Sequence, residues 1–245
     1  MAVAAAVFAW GLSSCTKEPV ATNGSIQIQM DYVWAMDMQS FELNTPYLHP
    51  MSGDSLEFTT FKHYISHVRL QREDGTYWDA PESFYLLDAS EPSSLQWTIE
   101  EIPGGNYKGL QITLGVDSLR NVSGAQTGAL DPANNMFWSW NSGYIMIKAE
   151  GTSPQSSSGS FAYHLGGFSG ANNAISVRDF AFPDAAVLTV SEETNPLVTL
   201  MANPARLFHT YGSVSNGSTV HMPGPAATQM ADDFNSWVRL SALEQ

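Results

Sequence analysis

The chain has 245 residues, 43% hydrophobic and only 14% charged, which supplies enough apolar side chain for the core of one all-β domain. Ten Lys and Arg against 24 Asp and Glu leave a formal net charge of −14, which rules against a nucleic-acid partner, since phosphate binding needs a basic face. Cys15 is the single cysteine, so no disulfide forms within one chain.

Residues 2–12 (AVAAAVFAWGL) form a short apolar run of signal-peptide length, too short to cross a bilayer as a helix. The run ends in Leu12-Ser13-Ser14-Cys15, which resembles a bacterial lipobox. The expected organisation is a signal peptide over 1–14, a lipidated Cys15 with a polar tether over 15–24, and one domain over 25–245. Met1 is followed directly by Ala2, without the Lys or Arg of a secretory n-region. The anchor implies a periplasmic or cell-surface lipoprotein, held at the outer membrane of a Gram-negative bacterium.

Residues 25–38 begin with strict alternation: Ile26, Ile28 and Met30 on one face, Gln27 and Gln29 on the other. That is the period of a half-buried strand. Residues 56–72 (LEFTTFKHYISHVRLQR) read as a long strand or strand pair, and Glu73-Asp74-Gly75 as the turn before Thr76-Tyr77-Trp78. Short strands follow at 84–88, 95–101 and 107–116, the last two separated by a Pro-Gly-Gly-Asn turn. Residues 117–135 read as a long polar loop, and 137–150 as the next strand region. A serine-rich hairpin tip at 153–160 precedes strands at 161–165, 174–182, 186–190 and 196–202. Over 226–240 the period changes, with Met230, Phe234, Trp237 and Val238 on one helical face. The expected fold is all-β: a β-sandwich of antiparallel strands with a short C-terminal helix.

Enzyme motifs with a known mechanism, such as G-x-S-x-G, H-E-x-x-H and the phosphate loop, are absent from the sequence. A non-enzymatic role is expected. Six histidines are present: His49, His63, His67, His164, His209 and His221. His63 and His67 would approach within about 6 Å on a helix. In a strand they share a face but stand about 13 Å apart, too far for one ion. In the stretch 135–144, Met136, Trp138 and Trp140 alternate onto one strand face. Soft sulfur beside large π faces suits an ion such as Cu(I), although aromatics and Met at this period are more usually core or cross-strand packing.

At this stretch the chain resembles the MbnP-like family of secreted bacterial copper proteins. Residues 59–70 are similar to a family strand of the type FKYYISNIRL, with His63 and His67 in place of Tyr and Asn. Leu114-Gly115-Val116-Asp117 with Asn121, Gly128-Ala129-Leu130-Asp131-Pro132, Met136-Phe137-Trp138-Ser139-Trp140 and Gly143-Tyr144 follow in the family's order. So do the segments at 148–151, Tyr163-His164-Leu165-Gly166 and His221-Met222. The resemblance implies a β-sandwich that binds copper outside the cytoplasm through histidine imidazoles and a kynurenine. In some members of that family a dihaem peroxidase-type partner makes the kynurenine from tryptophan, and the resemblance implies such a partner here. On this chain the implied metal site draws on His164, His221, Trp138, Trp140 and Met136. Asp117 and Asp131 are candidate carboxylates behind the imidazoles. A cell-surface scaffold that binds glycan or protein without a metal is the alternative, and it expects an exposed aromatic patch. A hydrolase in the 117–135 loop is a third reading, and it requires paired titratable groups in a cleft.

Overall fold

The computed structural model describes residues 22–124, 126–139 and 142–245. The signal segment, Cys15 and Trp140 lie outside the described residues.

β1 (Gly24–Trp34) follows its alternation, with Ile26, Ile28 and Met30 essentially sealed from solvent. A tight turn leads to β2 (Gln39–Ser40), and β3 (Pro46–Leu48) hairpins into β4 (Ser55–Arg72). β4 is the spine of the larger sheet. Its buried positions are Leu56, Phe58 and Phe61, then the unbroken run from His63 to Ser66, then Val68 and Leu70. The strand register breaks twice, beside Thr60 against β10 and between Ser66 and Arg69 against β8. Each extra residue moves everything after it to the other face. The expectation that His63 and His67 share a face is therefore corrected. His63 is 1% exposed, whereas the side chain of His67, at φ +48°, is 48% exposed.

β5 (Tyr77–Asp79) and β6 (Phe84–Asp88) pair with β4, β7 (Gln96–Ile102) returns to β1, and β8 (Gly105–Leu114) runs back along β4. The expected structureless loop over 117–135 is also corrected. It folds into α1 (Ser118–Val122) and two short 3-10 turns, Gly128–Leu130 and Pro132–Asn134. Asp117 and Asp131 cap these elements, accepting from the Arg120 and Ala133 N–H groups.

The strand region over 137–150 divides into β9 (Phe137–Ser139) and β10 (Gly143–Thr152). Buried Asn121 fixes this hairpin: its Oδ1 accepts from Tyr144 N–H at 2.7 Å, and its Nδ2 donates to the Val116 and Asp117 carbonyls, both at 2.8 Å. β11 (Ser160–Gly166), β12 (Ser176–Ala181), β13 (Leu188–Val190), β14 (Leu197–Ala202) and β15 (Thr219–Val220) follow. α2 (Pro225–Trp237) begins with proline at its first turn and buries Met230 and Phe234 completely. β16 (Arg239–Glu244) closes the chain.

The described strands form a five-stranded sheet, β16-β14-β1-β2 with β7 also on β1, and an eleven-stranded sheet built along β12-β8-β4-β10-β11-β15. The fold is all-β and sandwich-like. Most pairings are antiparallel, but β1 runs parallel to β14 and β11 parallel to β15. Rings of Tyr32, Phe41, Phe58, Phe61, Phe161 and Phe208 interlock mostly edge-to-face at 5.1–6.3 Å in the core. Each such ring contributes roughly 1.5–3 kcal/mol by burial alone.

Candidate metal centre

The β10–β11 hairpin sets out one half of the site. Counting back from its serine-rich tip, Lys148 lies opposite His164 and Glu150 opposite Ala162. These four side chains occupy the outer face, half-buried, while Ala149, Tyr163 and Leu165 point into the core. β15 supplies the other half. It lies parallel to β11 with Ala162 beside Thr219 and Tyr163 beside Val220, so the next step along both strands brings His221 beside His164. The strap before β15 is fastened by the Tyr163 and Tyr211 hydroxyls, which both donate to the Gly217 carbonyl.

The two imidazoles, 57 residues apart in sequence, stand with ring centroids 4.5 Å apart and Nδ1 atoms 3.1 Å apart. Two imidazole nitrogens on one tetrahedral ion, at about 2.0–2.1 Å each, stand roughly 3.3 Å from one another, so this spacing matches a shared coordination sphere. His164 Nε2–H donates to Glu150 Oε1 at 2.6 Å. That bond leaves a lone pair on His164 Nδ1, directed at His221. In the metal-free protein a proton on His221 Nδ1 fills the gap. An ion would take the same place between the two nitrogens. Burial holds the His164 pKa below 6.5, with Glu150 opposing that effect and Lys148 adding to it. For Glu150, burial pushes upward, but the hydrogen bond from His164 and the charge of Lys148 prevail and keep the carboxyl below its usual value. A neutral imidazole beside an ionised carboxylate is the pairing that a metal ligand requires.

Trp138 lies on the same side. A Cβ built on Gly166, two residues along the face from His164, would come within 2.7 Å of the Trp138 ring, so the glycine makes room for the indole. Successive same-face positions on a strand are about 6.6 Å apart, so the indole stands over the position one step along the face from His164. Met136 is 0% exposed and belongs to the hydrophobic core. Among the described residues no group of three or more His, Cys, Asp and Glu side chains is placed around one ion. The donor set that converges is the two-imidazole pair, and imidazole suits copper as it suits zinc, iron and nickel.

The other histidines are placed differently. His63 is sealed among Tyr32, Phe61 and Phe234, with neither ring nitrogen hydrogen-bonded, and burial lowers its pKa to about 4. His67 donates to Asp117 at 3.0 Å on the surface. Asp117 and Asp131 therefore serve as helix caps, and the carboxylate behind His164 is Glu150, which the sequence reading missed. The hairpin tip carried the signal, since equal counts from either side of 153–159 set 148–150 against 162–164. The large hydrophobic side chains exposed among the described residues are Met, Leu and Val, with no aromatic patch of the kind a scaffold would present. No described helix is long and apolar enough to cross a membrane.

A family model described as MbnP matches residues 23–223. Among solved structures, MbnP from Methylosinus trichosporium shares the fold with a TM-score of 0.54 at 15% identity, over 85% of this chain and 83% of that one. No curated protein sequence matches. With most of its length covered by the family model, the chain belongs to the MbnP family.

Proposed function

We propose that this chain binds copper outside the cytoplasm, at His164 and His221, as a lipoprotein tethered through Cys15. Membership of the MbnP family supports a copper-related role. The observation that carries the reading is the 3.1 Å approach of two imidazole nitrogens from distant segments, one of them buttressed by Glu150. Bound copper supplies a soft, redox-active ion that the protein stores or hands on. The residues' part is to bind and orient. Glu150 fixes the tautomer of His164, and the register of β11 with β15 brings His221 into place. Lys148, 3.5 Å from Glu150, keeps that carboxylate ionised. Trp138, whose indole stands over Gly166, is the tryptophan whose conversion to kynurenine by a dihaem peroxidase-type partner would add an aromatic nitrogen donor. The role is binding rather than catalysis.

The test is metal analysis of the full chain produced in its native compartment with copper supplied, alongside the variants His164→Ala and His221→Ala. One copper per chain in the wild type, lost in either variant, is the expected result. Equal copper in all three, or none in any, overturns the proposal. Intact mass of the same samples reads out whether a tryptophan is oxidised.

A further inference from the structure

Away from the histidine pair, the turn after β1 and the turn between β3 and β4 meet at a largely apolar cavity of about 270 Å³. Met36, Met51 and His209 all line it. Met36 is 78% and Met51 65% exposed, although burying a methionine side chain is favourable.

Both methionines are carried on braced turns. Ala35 and Met38 hold φ of +56° and +57°, a left-handed conformation that is strained for a non-glycine residue. Asn203, 2% exposed, grips Ala35 from both sides: Ala35 N–H donates to its Oδ1 at 3.2 Å, and its Nδ2 donates to the Ala35 carbonyl at 3.0 Å. Strain held in place by a buried amide is a recurrent mark of a functional turn. The second turn is braced by His49. Its Nδ1 accepts from Ser52 N–H at 3.1 Å, and its Nε2–H donates to the Ala205 carbonyl at 3.2 Å. Both nitrogens of His49 are thus committed, and it is a support rather than a ligand. His209 touches Arg206 through Nδ1 at a long 3.5 Å. Ligation through Nε2 would move the proton to Nδ1 and give up only that contact.

We propose that this pocket is a second soft-metal site, in which the thioethers of Met36 and Met51 and the imidazole of His209 bind a monovalent ion of the Cu(I) class. Thioethers are soft, neutral donors that select Cu(I) over harder divalent ions. Arg206, also in the lining, opposes a doubly charged ion more strongly than a singly charged one. The three rotatable bonds of methionine let both side chains fold over an ion. The site shares no residue with the His164–His221 pair and does not depend on it.

The experiment uses the full chain carrying His164→Ala and His221→Ala, with ¹³C-labelled methionine methyl groups. It is titrated with Ag(I), a redox-inert stand-in for Cu(I), and separately with Zn(II). Ag(I) is expected to shift the methyl signals of Met36 and Met51, leave those of the buried Met30 and Met230 in place, and outcompete Zn(II). The double variant Met36→Leu/Met51→Leu preserves apolar volume while removing sulfur. It should lower Ag(I) affinity at least about tenfold, the lower end of what loss of a mere supporting residue costs a metal site. Unmoved methyl signals, undiminished affinity in the leucine variant, or an equal response to Zn(II) would each overturn the proposal. These results are readable whether or not the histidine pair binds copper.

Discussion

His63 makes the protein sensitive to mild acid, and the size of the effect follows from its surroundings. The imidazole is sealed among three aromatic rings, with no hydrogen-bond partner, and burial depresses its pKa from 6.5 to about 4. In the unfolded chain it titrates near 6.5. Between those values the unfolded state binds a proton that the folded state refuses. The contribution is therefore present above pH 6.5 and is lost as the pH falls from 6.5 toward 4. At about 1.4 kcal/mol for each pH unit, the full loss is about 3 kcal/mol, of which about 2 kcal/mol has gone by pH 5. Leu is close to His in volume and has no proton to exchange, so His63→Leu should remove this dependence. Urea unfolding of metal-free wild type and variant at pH 7.5 and pH 5.0 measures it. The wild type should lose about 2 kcal/mol more than the variant over that interval. At pH 7.5 the variant should be no less stable, because it buries no unpaired nitrogen. Parallel losses in the two proteins would refute the reasoning.

Three further predictions concern the proposed copper centre and its supports. Glu150→Gln removes the charge behind His164 and should weaken copper binding about 10–100-fold with little change in melting temperature; unchanged affinity in a chelator competition would count against the role given to Glu150. Gly166→Ala drives a Cβ to 2.6 Å from the Tyr144 carbonyl and 2.7 Å from the Trp138 ring, so it should cost about 1–3 kcal/mol and alter tryptophan emission. A silent substitution in both readouts would mean that the indole does not sit over that glycine. Asn121→Ala leaves the buried Tyr144 N–H and Val116 carbonyl without partners and should cost about 3 kcal/mol in chemical denaturation, a loss that surface asparagines do not produce.

The sequence made some of this legible and hid the rest for definable reasons. Ile26, Ile28 and Met30 alternate without interruption, so the inward face of β1 could be read directly. Met230, Phe234, Trp237 and Val238 repeat at helical spacing, and all four are buried in α2 or just past it. Where a period breaks, reading fails. The bulge after Ser66 placed His63 and His67 in opposite environments, and nothing in the residue types announces it. β16 escaped because only Leu240 and Leu243 of its side chains pack against the core, too few to show a period after the helix. The imidazole pair came from the family resemblance, since 57 residues separate the partners and the strand that delivers His221 spans two residues. Glu150 and the braced turns under Met36 and Met51 depend on register and backbone conformation, which composition does not encode.

The placement of β1 has a consequence for how the chain is made. It lies between β7 and β14, and β14 in turn takes β16 from the last residues of the sequence. A polypeptide emerging N-terminus first therefore presents β1 long before residues 197–244 exist to complete its sheet. Until they arrive, one edge of β1 keeps its N–H and C=O groups unpaired, an invitation to the wrong neighbour. Closure between the two ends of a chain is slow as well as late. A product cut short before β16 would not merely lack a tail; it would expose β14 as a raw edge, and it should be found in aggregates and proteolytic fragments rather than as a smaller folded domain.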